Sequence, residues 1–304
     1  MKWSLSRNQY KGYNIYSMKK YVDKKRIIFT AICILIIIIA LAMITFYSLD
    51  TIIRTKRSQE FVAQLIENQN QIQMQEEIKT EEEIKKFNQS KGNIDNIYSS
   101  ETKKAYLTFD DGPSKYTKNI LDILNSYNIK ATFFVLGSRV DAMPDMLKEI
   151  YNQGSYIANH GYSHVYQSIY SSKEAVLDEY NKTEESIKKA LDNQNYNSHL
   201  FRFPGGLAGG KYADLKKEAK ELLNENHILT IDWNALTGDS ETSNPSPEVL
   251  MKNLKVTTNG KNSVVILMHD TAAKKVTVDT LPQVIEYLKS EGYKFKTFYD
   301  EINM

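Results

Sequence analysis

The hydrophobic pattern changes twice along the 304 residues, and its three regimes predict three kinds of structure. From Ile27 to Tyr47 no residue is charged and most are Ile, Leu, Ala, Phe or Met. About 20 residues at roughly 1.5 Å of rise each match the hydrocarbon core of a bilayer, so this run predicts a transmembrane helix. From residue 55 to about 100, Gln, Glu, Lys and Asn dominate, and Phe61, Leu65, Ile72, Ile78 and Ile84 are too sparse to build a core. Neither Gly nor Pro interrupts Ser58 to Phe87, so the stretch reads as a stalk: a solvated helix, a weak coiled coil or a partly helical disordered spacer.

From Lys104 onward, short apolar runs alternate with amphipathic stretches, which predicts a parallel sheet covered by helices. Strands are expected at 105–109, 131–136, 156–158, 200–201, 228–231, 264–268 and 293–297. Between them, Ile120, Ile123, Leu124 and Tyr127 form one helical face, and Pro144 suits the first turn of a helix running to Asn152. Ser171 and Glu174 read as a capping box opening a long helix, and further helices are expected at 212–225, 247–259 and 278–291. About seven such units favour a distorted (β/α) barrel of parallel strands over an open sheet. The domain reading is therefore a basic N-terminus (1–26), a transmembrane segment (27–47), a polar stalk (48–103) and a folded domain (104–304).

Charge adds orientation. Lys2, Arg7, Lys11, Lys19, Lys20, Lys24, Lys25 and Arg26 stand against one acid, Asp23, on the N-terminal flank of the apolar run. The positive-inside rule then puts the N-terminus in the cytoplasm and the folded domain outside the membrane. A cleaved signal peptide is the competing reading, since Ala40-Leu41-Ala42 offers a small-residue cleavage site. The long basic region and the continuation of the apolar run to Phe46 favour an uncleaved anchor. The single cysteine, Cys33, lies in that run, so the exported domain has no disulfide available and must be held by its core. A formal charge of +2 gives no argument for a nucleic-acid partner.

Titratable residues follow the expected strands directly: Asp110 and Asp111, His160, Arg202, Asp232 and His269. In parallel α/β folds that end of the strands is where sites are assembled. His160 and His164 stand four apart, close enough to bind one ion through imidazole nitrogens, and Asp111 could complete a three-ligand set with an open position for water. Asp110-Asp111-Gly112-Pro113 also reads as an ordinary turn after a strand. His199, His227, Asp239 and Asp270 receive no role at this level.

Together, Thr108-Phe109-Asp110-Asp111-Gly112-Pro113, His160-x-x-x-His164, Arg202-x-Pro204, Asp232-Trp233 and Leu267-x-His269 resemble, in order and rough separation, the motif series of the NodB-type polysaccharide deacetylases, carbohydrate esterases of family 4. The resemblance spans about two thirds of the chain. It implies that Asp111, His160 and His164 bind a divalent metal (zinc by default, with cobalt, nickel or manganese as options) and that Asp110 is the general base. It implies further that Arg202 orients Asp110, that His269 is the general acid kept charged by Asp232, and that Trp233 and Leu267 enclose the acetyl methyl group. Two departures stand out. Gly205 replaces the family's Tyr, whose backbone N–H is the oxyanion donor there, so that the Gly205 N–H would take this role while the ring's sugar contacts are lost, and Gly161 replaces the Ser or Thr common after the first His. The implied reaction is hydrolysis of N-acetyl groups from a cell-envelope polysaccharide, most simply peptidoglycan N-acetylglucosamine. N-acetylmuramic acid, chitooligosaccharide, poly-N-acetylglucosamine, acetylxylan and a non-catalytic wall-binding role remain as alternatives, and the oligomeric state is open.

Overall fold

The computed structural model describes residues 15–303; Lys2, Arg7 and Lys11 of the basic segment lie outside the described residues. A long helix, α1 (Ile15–Asp95), precedes β1 (Lys104–Gly112), α2 (Thr117–Ser126), β2 (Thr132–Val135), α3 (Gly137–Ala142), α4 (Pro144–Asn152), β3 (Tyr156–Asn159) and α5 (Tyr166–Ile169). Then follow α6 (Lys173–Leu191), β4 (Leu200–Phe201), α7 (Ala213–Glu225), β5 (Leu229–Thr230), β6 (Ala235–Leu236), α8 (Pro247–Thr258), β7 (Ser263–His269), α9 (Lys275–Ser290) and β8 (Lys294–Lys296).

Every strand pairing is parallel, in the order β5-β4-β3-β2-β1-β7-β6, with β8 beside the start of β1. Among the described residues no pairing joins β5 to β6, so the expected distorted barrel is a half-barrel, open at that seam. Strand β6 was not expected; two residues are too few to leave a period in the sequence. The long helix also starts one residue later than the expected box. Ser172 is the cap, accepting from the Ala175 amide at 3.1 Å, while Ser171 instead donates to the Ser168 carbonyl and closes α5.

Alternation along the central strands sorts side chains between two cores. Ala105, Leu107 and Phe109 of β1, Phe133 and Val135 of β2, and Val264, Ile266 and Met268 of β7 join the outer core beneath the helices. Tyr106, Phe134 and Val265 point to the inner face. Continuing those inner rows by twos along the strands leads through Thr108 to Asp110 and through Leu267 to His269. Sheet register and pleat thus deliver the two residues side by side, since Asp110 and His269 are direct partners across β1 and β7.

Two compact units divide the chain, residues Met1–Ile78 and Lys79–Met304. In the first, α1 contains a stretch long and apolar enough to cross a membrane. The second begins well before Lys104, which moves the expected boundary. Phe87, Ile94 and Ile97 are buried in the inner core with Tyr106, Phe298 and Ile302. Polar ties fix the same segment: Asn93 donates to the Glu301 carbonyl at 2.9 Å, and Ser263 to the Ile97 carbonyl at 2.5 Å. The last part of the expected stalk is therefore the floor of the half-barrel.

This floor makes a testable contrast on one helix. Ile94 is 4% exposed and Ile84 is 42% exposed. Ile94→Ala should destabilise the protein by about 2–4 kcal/mol through lost burial and a residual cavity, whereas Ile84→Ala should change stability by less than about 0.5 kcal/mol. Urea unfolding of the full chain measures both; equal effects would show that the segment is not part of the core.

Candidate metal and catalytic site

Arg202, immediately after β4, is fully buried at 0% exposure and fixes the inner end of the site. Its Nη1 donates to Asp110 Oδ1 at 2.8 Å and to Thr108 Oγ1 at 2.7 Å. Nη2 donates to the Asp232 carbonyl at 3.1 Å and Nε to the Ile231 carbonyl at 3.3 Å, while the guanidinium lies 3.8 Å from the Phe134 ring centroid. The Asp110 carboxylate is thereby held in place. Burial still raises the Asp110 pKa; the lowering by Arg202 and His269 offsets only part of it.

Asp111 sits at an irregularity in the β1–β2 pairing, with φ of 71°, a left-handed conformation that Asp tolerates better than most residues. The kink separates its side chain from that of Asp110. One Asp111 oxygen, Oδ1, is buried with no hydrogen-bond partner among the described residues, and it lies 3.6 Å from His160 Nε2 and 3.4 Å from His164 Nε2. One ligand atom from each of the three residues lies within 4.8 Å of the others.

Both histidines are held for that arrangement. The ring of His160 places Nδ1 2.8 Å from the Arg202 carbonyl, which fixes Nδ1 as the donor and leaves the Nε2 lone pair facing Asp111. Burial drives the His160 pKa down to about 3, so the ring is neutral, as a ligand must be. The intervening loop is clamped by Glu179 of α6: Oε2 accepts from the Tyr162 and Ser163 amides, both at 2.7 Å, and Oε1 accepts from Ser163 Oγ at 2.8 Å. Gly161 has φ of 81°, and a Cβ there would approach Ile169 Cδ1 to 3.1 Å, so glycine suits this turn. Two imidazoles, that of His160 held neutral, together with an otherwise unpaired carboxylate oxygen fit a divalent cation.

Asp239, not Asp232, partners His269. Asp239 Oδ1 lies 2.7 Å from His269 Nδ1, its Oδ2 accepts from the His269 amide and from Thr277 Oγ1, and Ser240 Oγ lies 3.0 Å from the same Nδ1. Burial acts to lower the His269 pKa, but the Asp239 hydrogen bond and charge, with Asp110 and Asp111 adding, outweigh it and raise the pKa. Asp232 is occupied elsewhere: both its oxygens accept from the Leu207 amide at 3.0 Å. The resemblance put this role on the Asp232-Trp233 pair, whereas the carboxylate that reaches His269 stands after β6.

Gly205 is exposed with φ of 75°, and its N–H has no hydrogen-bond partner among the described residues. Trp233 is half-buried, with Arg202 lying 5.7 Å from its ring centroid, and Leu267 is half-buried on the inner row below His269. A cleft of about 350 Å³ opens beside the histidines, lined by Asp111, Leu136, Ser138, Arg139, Ser163, His164 and Thr271. His199 and His227 precede β4 and β5 at the opposite end of the strands and do not join the site.

Residues 97–224 match the family model described as polysaccharide deacetylase. A peptidoglycan-N-acetylglucosamine deacetylase of Bacillus cereus is 29% identical over 289 residues, covering 93% of this chain and 95% of the relative. A second B. cereus protein of that name is 32% identical over 196 residues, covering 63% of this chain and 84% of the relative. A Streptococcus mutans esterase of carbohydrate esterase family 4 superposes with a TM-score of 0.62 at 30% identity, over 68% of this chain and 90% of that one. With the fold and these relatives agreeing, the chain belongs to the polysaccharide deacetylases of carbohydrate esterase family 4.

Proposed function

We propose that the protein removes N-acetyl groups from a cell-envelope polysaccharide, peptidoglycan N-acetylglucosamine first, releasing acetate and leaving a free amino sugar. One observation carries this reading: a carboxylate held by a buried arginine and a histidine held by a buried aspartate end adjacent strands beside an Asp–His–His cluster. A binding module has no use for a matched acid and base. The names of the B. cereus relatives support the choice of sugar, and an apolar helix behind a basic flank supports an anchored, outward-facing enzyme.

Asp111, His160 and His164 would hold a divalent cation, zinc by default, which would supply the Lewis acidity needed to make water nucleophilic near neutral pH. Asp110 takes a proton from the attacking water, whose oxygen bonds to the acetyl carbon. Arg202 keeps the accepting carboxylate in place, and the raised Asp110 pKa brings its basicity closer to the working pH. Negative charge growing on the carbonyl oxygen is met by the Gly205 N–H. As the carbon–nitrogen bond breaks, His269 donates its proton to the departing amine, which would otherwise be a poor leaving group. Asp239 holds the imidazolium ready, and Trp233 and Leu267 provide apolar walls for the methyl group.

Incubating the full chain in detergent with purified peptidoglycan should release acetate, and a chelator should abolish that release. Absence of acetate with every divalent metal would overturn the enzymatic reading in favour of a wall-binding role, and comparison with chitooligosaccharide and acetylxylan ranks the substrates. Asp110→Asn should retain metal but lose about 10²–10⁴-fold in turnover, whereas His164→Ala should lose the metal itself, read by elemental analysis. The pH profile supplies a further check. Asp110 must be ionised and its pKa is raised, so the acid limb should lie above the ordinary carboxylate value of about 4. His269 must be protonated and its pKa is raised, so Asp239→Asn, which removes the largest raising influence, should move the alkaline limb to lower pH. An unmoved limb would assign it to another group.

A further inference from the structure

Tyr166, at the start of α5, has no part in the reaction as derived above, yet its hydroxyl occupies the space over Gly205. A Cβ built on Gly205 would lie 2.5 Å from Tyr166 Oη and 3.2 Å from its Cζ, so a side chain at 205 would require the Tyr166 hydroxyl to move. We propose that Tyr166 is a catalytic residue whose hydroxyl donates to the acetyl carbonyl oxygen beside the Gly205 N–H, so that the two donors form the oxyanion site together; this rests on the deacetylation reading above.

Three observations converge on that role. Neither donor has a protein partner: no hydrogen bond is made by the Tyr166 hydroxyl or the Gly205 N–H among the described residues. The ring is positioned on both sides, with its centroid 5.5 Å from that of His164 and 5.7 Å from that of Tyr170 in an edge-on contact. Tyr170 is itself buried, and its hydroxyl donates to the Pro204 carbonyl at 2.6 Å, which ties α5 to the turn carrying Gly205. The phenol therefore lies beside a proposed metal ligand, with its hydroxyl over the residue that carries the proposed backbone donor. A phenol remains protonated near neutral pH and can donate, and paired donors fixed before the reaction stabilise developing charge more than donors recruited from water. The same contact accounts for glycine at 205: the hydroxyl takes the room that an aromatic side chain at 205 would need.

Tyr166→Phe keeps the ring and removes only the donor. In the full chain in detergent, loaded with metal, this variant should lose about 10²-fold in kcat on peptidoglycan fragments while KM changes by less than about two-fold and metal content stays the same. Independently of turnover, binding of acetate, followed by NMR line broadening of its methyl signal, should weaken several-fold, because one acetate oxygen takes the place of the carbonyl oxygen. An unchanged kcat, a rise in KM alone, which marks a sugar contact, or a loss of metal, which marks a structural role, would each overturn the assignment. If the unsubstituted protein releases no acetate, the deacetylation reading fails on its own, and the acetate titration still decides whether Tyr166 and Gly205 act as a donor pair.

Discussion

The buried pairing of Arg202 with Asp110 is the constraint around which the site is built. A guanidinium removed entirely from water is tolerable only when its donors are satisfied and its charge is matched. Here the fork is distributed over Asp110, Thr108 and two carbonyls from the turn after β5, with the Phe134 face packed against it. One side chain thus joins β1, β4 and the segment leading to β6 across the open face of the half-barrel. Its own carbonyl holds His160 Nδ1, so the arginine's backbone sets a histidine tautomer while its side chain sets a carboxylate's orientation.

Much of this was legible because a strand writes its two faces into alternate positions. The apolar runs marked the central strands, and the polar residues after them marked the end where the site forms. What escaped was written at other scales. Asp232 was assigned to His269 on the Asp232-Trp233 pair alone, and only the path of the chain through β6 shows that Asp239 is the carboxylate that arrives there. Phe87, Ile94 and Ile97 are spaced so widely in a polar stretch that they read as stalk; only the inner face they cover gives them a purpose. Glu179 lies in the sequence as one of several acids on an amphipathic helix, and nothing local distinguishes it from its solvated neighbours.

Glu179 also clarifies the departure at Gly161. The loop between the two histidines must leave β3, turn and return His164 beside Asp111 within four residues. Three donors converge on one carboxylate, so the loop is fixed from outside by α6 rather than by a side chain following the first histidine. Glycine then serves the turn, where positive φ and the nearness of Ile169 leave little room for anything larger. Loss of a polar side chain in the motif need not loosen the placement of His160 and His164 when the backbone is held in this way.

The register that makes Asp110 and His269 neighbours has an electrostatic consequence. Each lies in the other's field, so an ionised Asp110 raises the His269 pKa, and a charged His269 lowers that of Asp110. The combination that amide hydrolysis requires, base deprotonated and acid protonated, is therefore the one the pair favours. Burial works against both charges and would by itself neutralise both groups. Arg202 on one side and Asp239 on the other oppose that tendency, favouring the carboxylate of Asp110 and the imidazolium of His269. Neighbouring strands supply the coupling through their register alone, which gives a geometric reason for drawing the two proposed proton-transfer groups from β1 and β7 rather than from mobile loops.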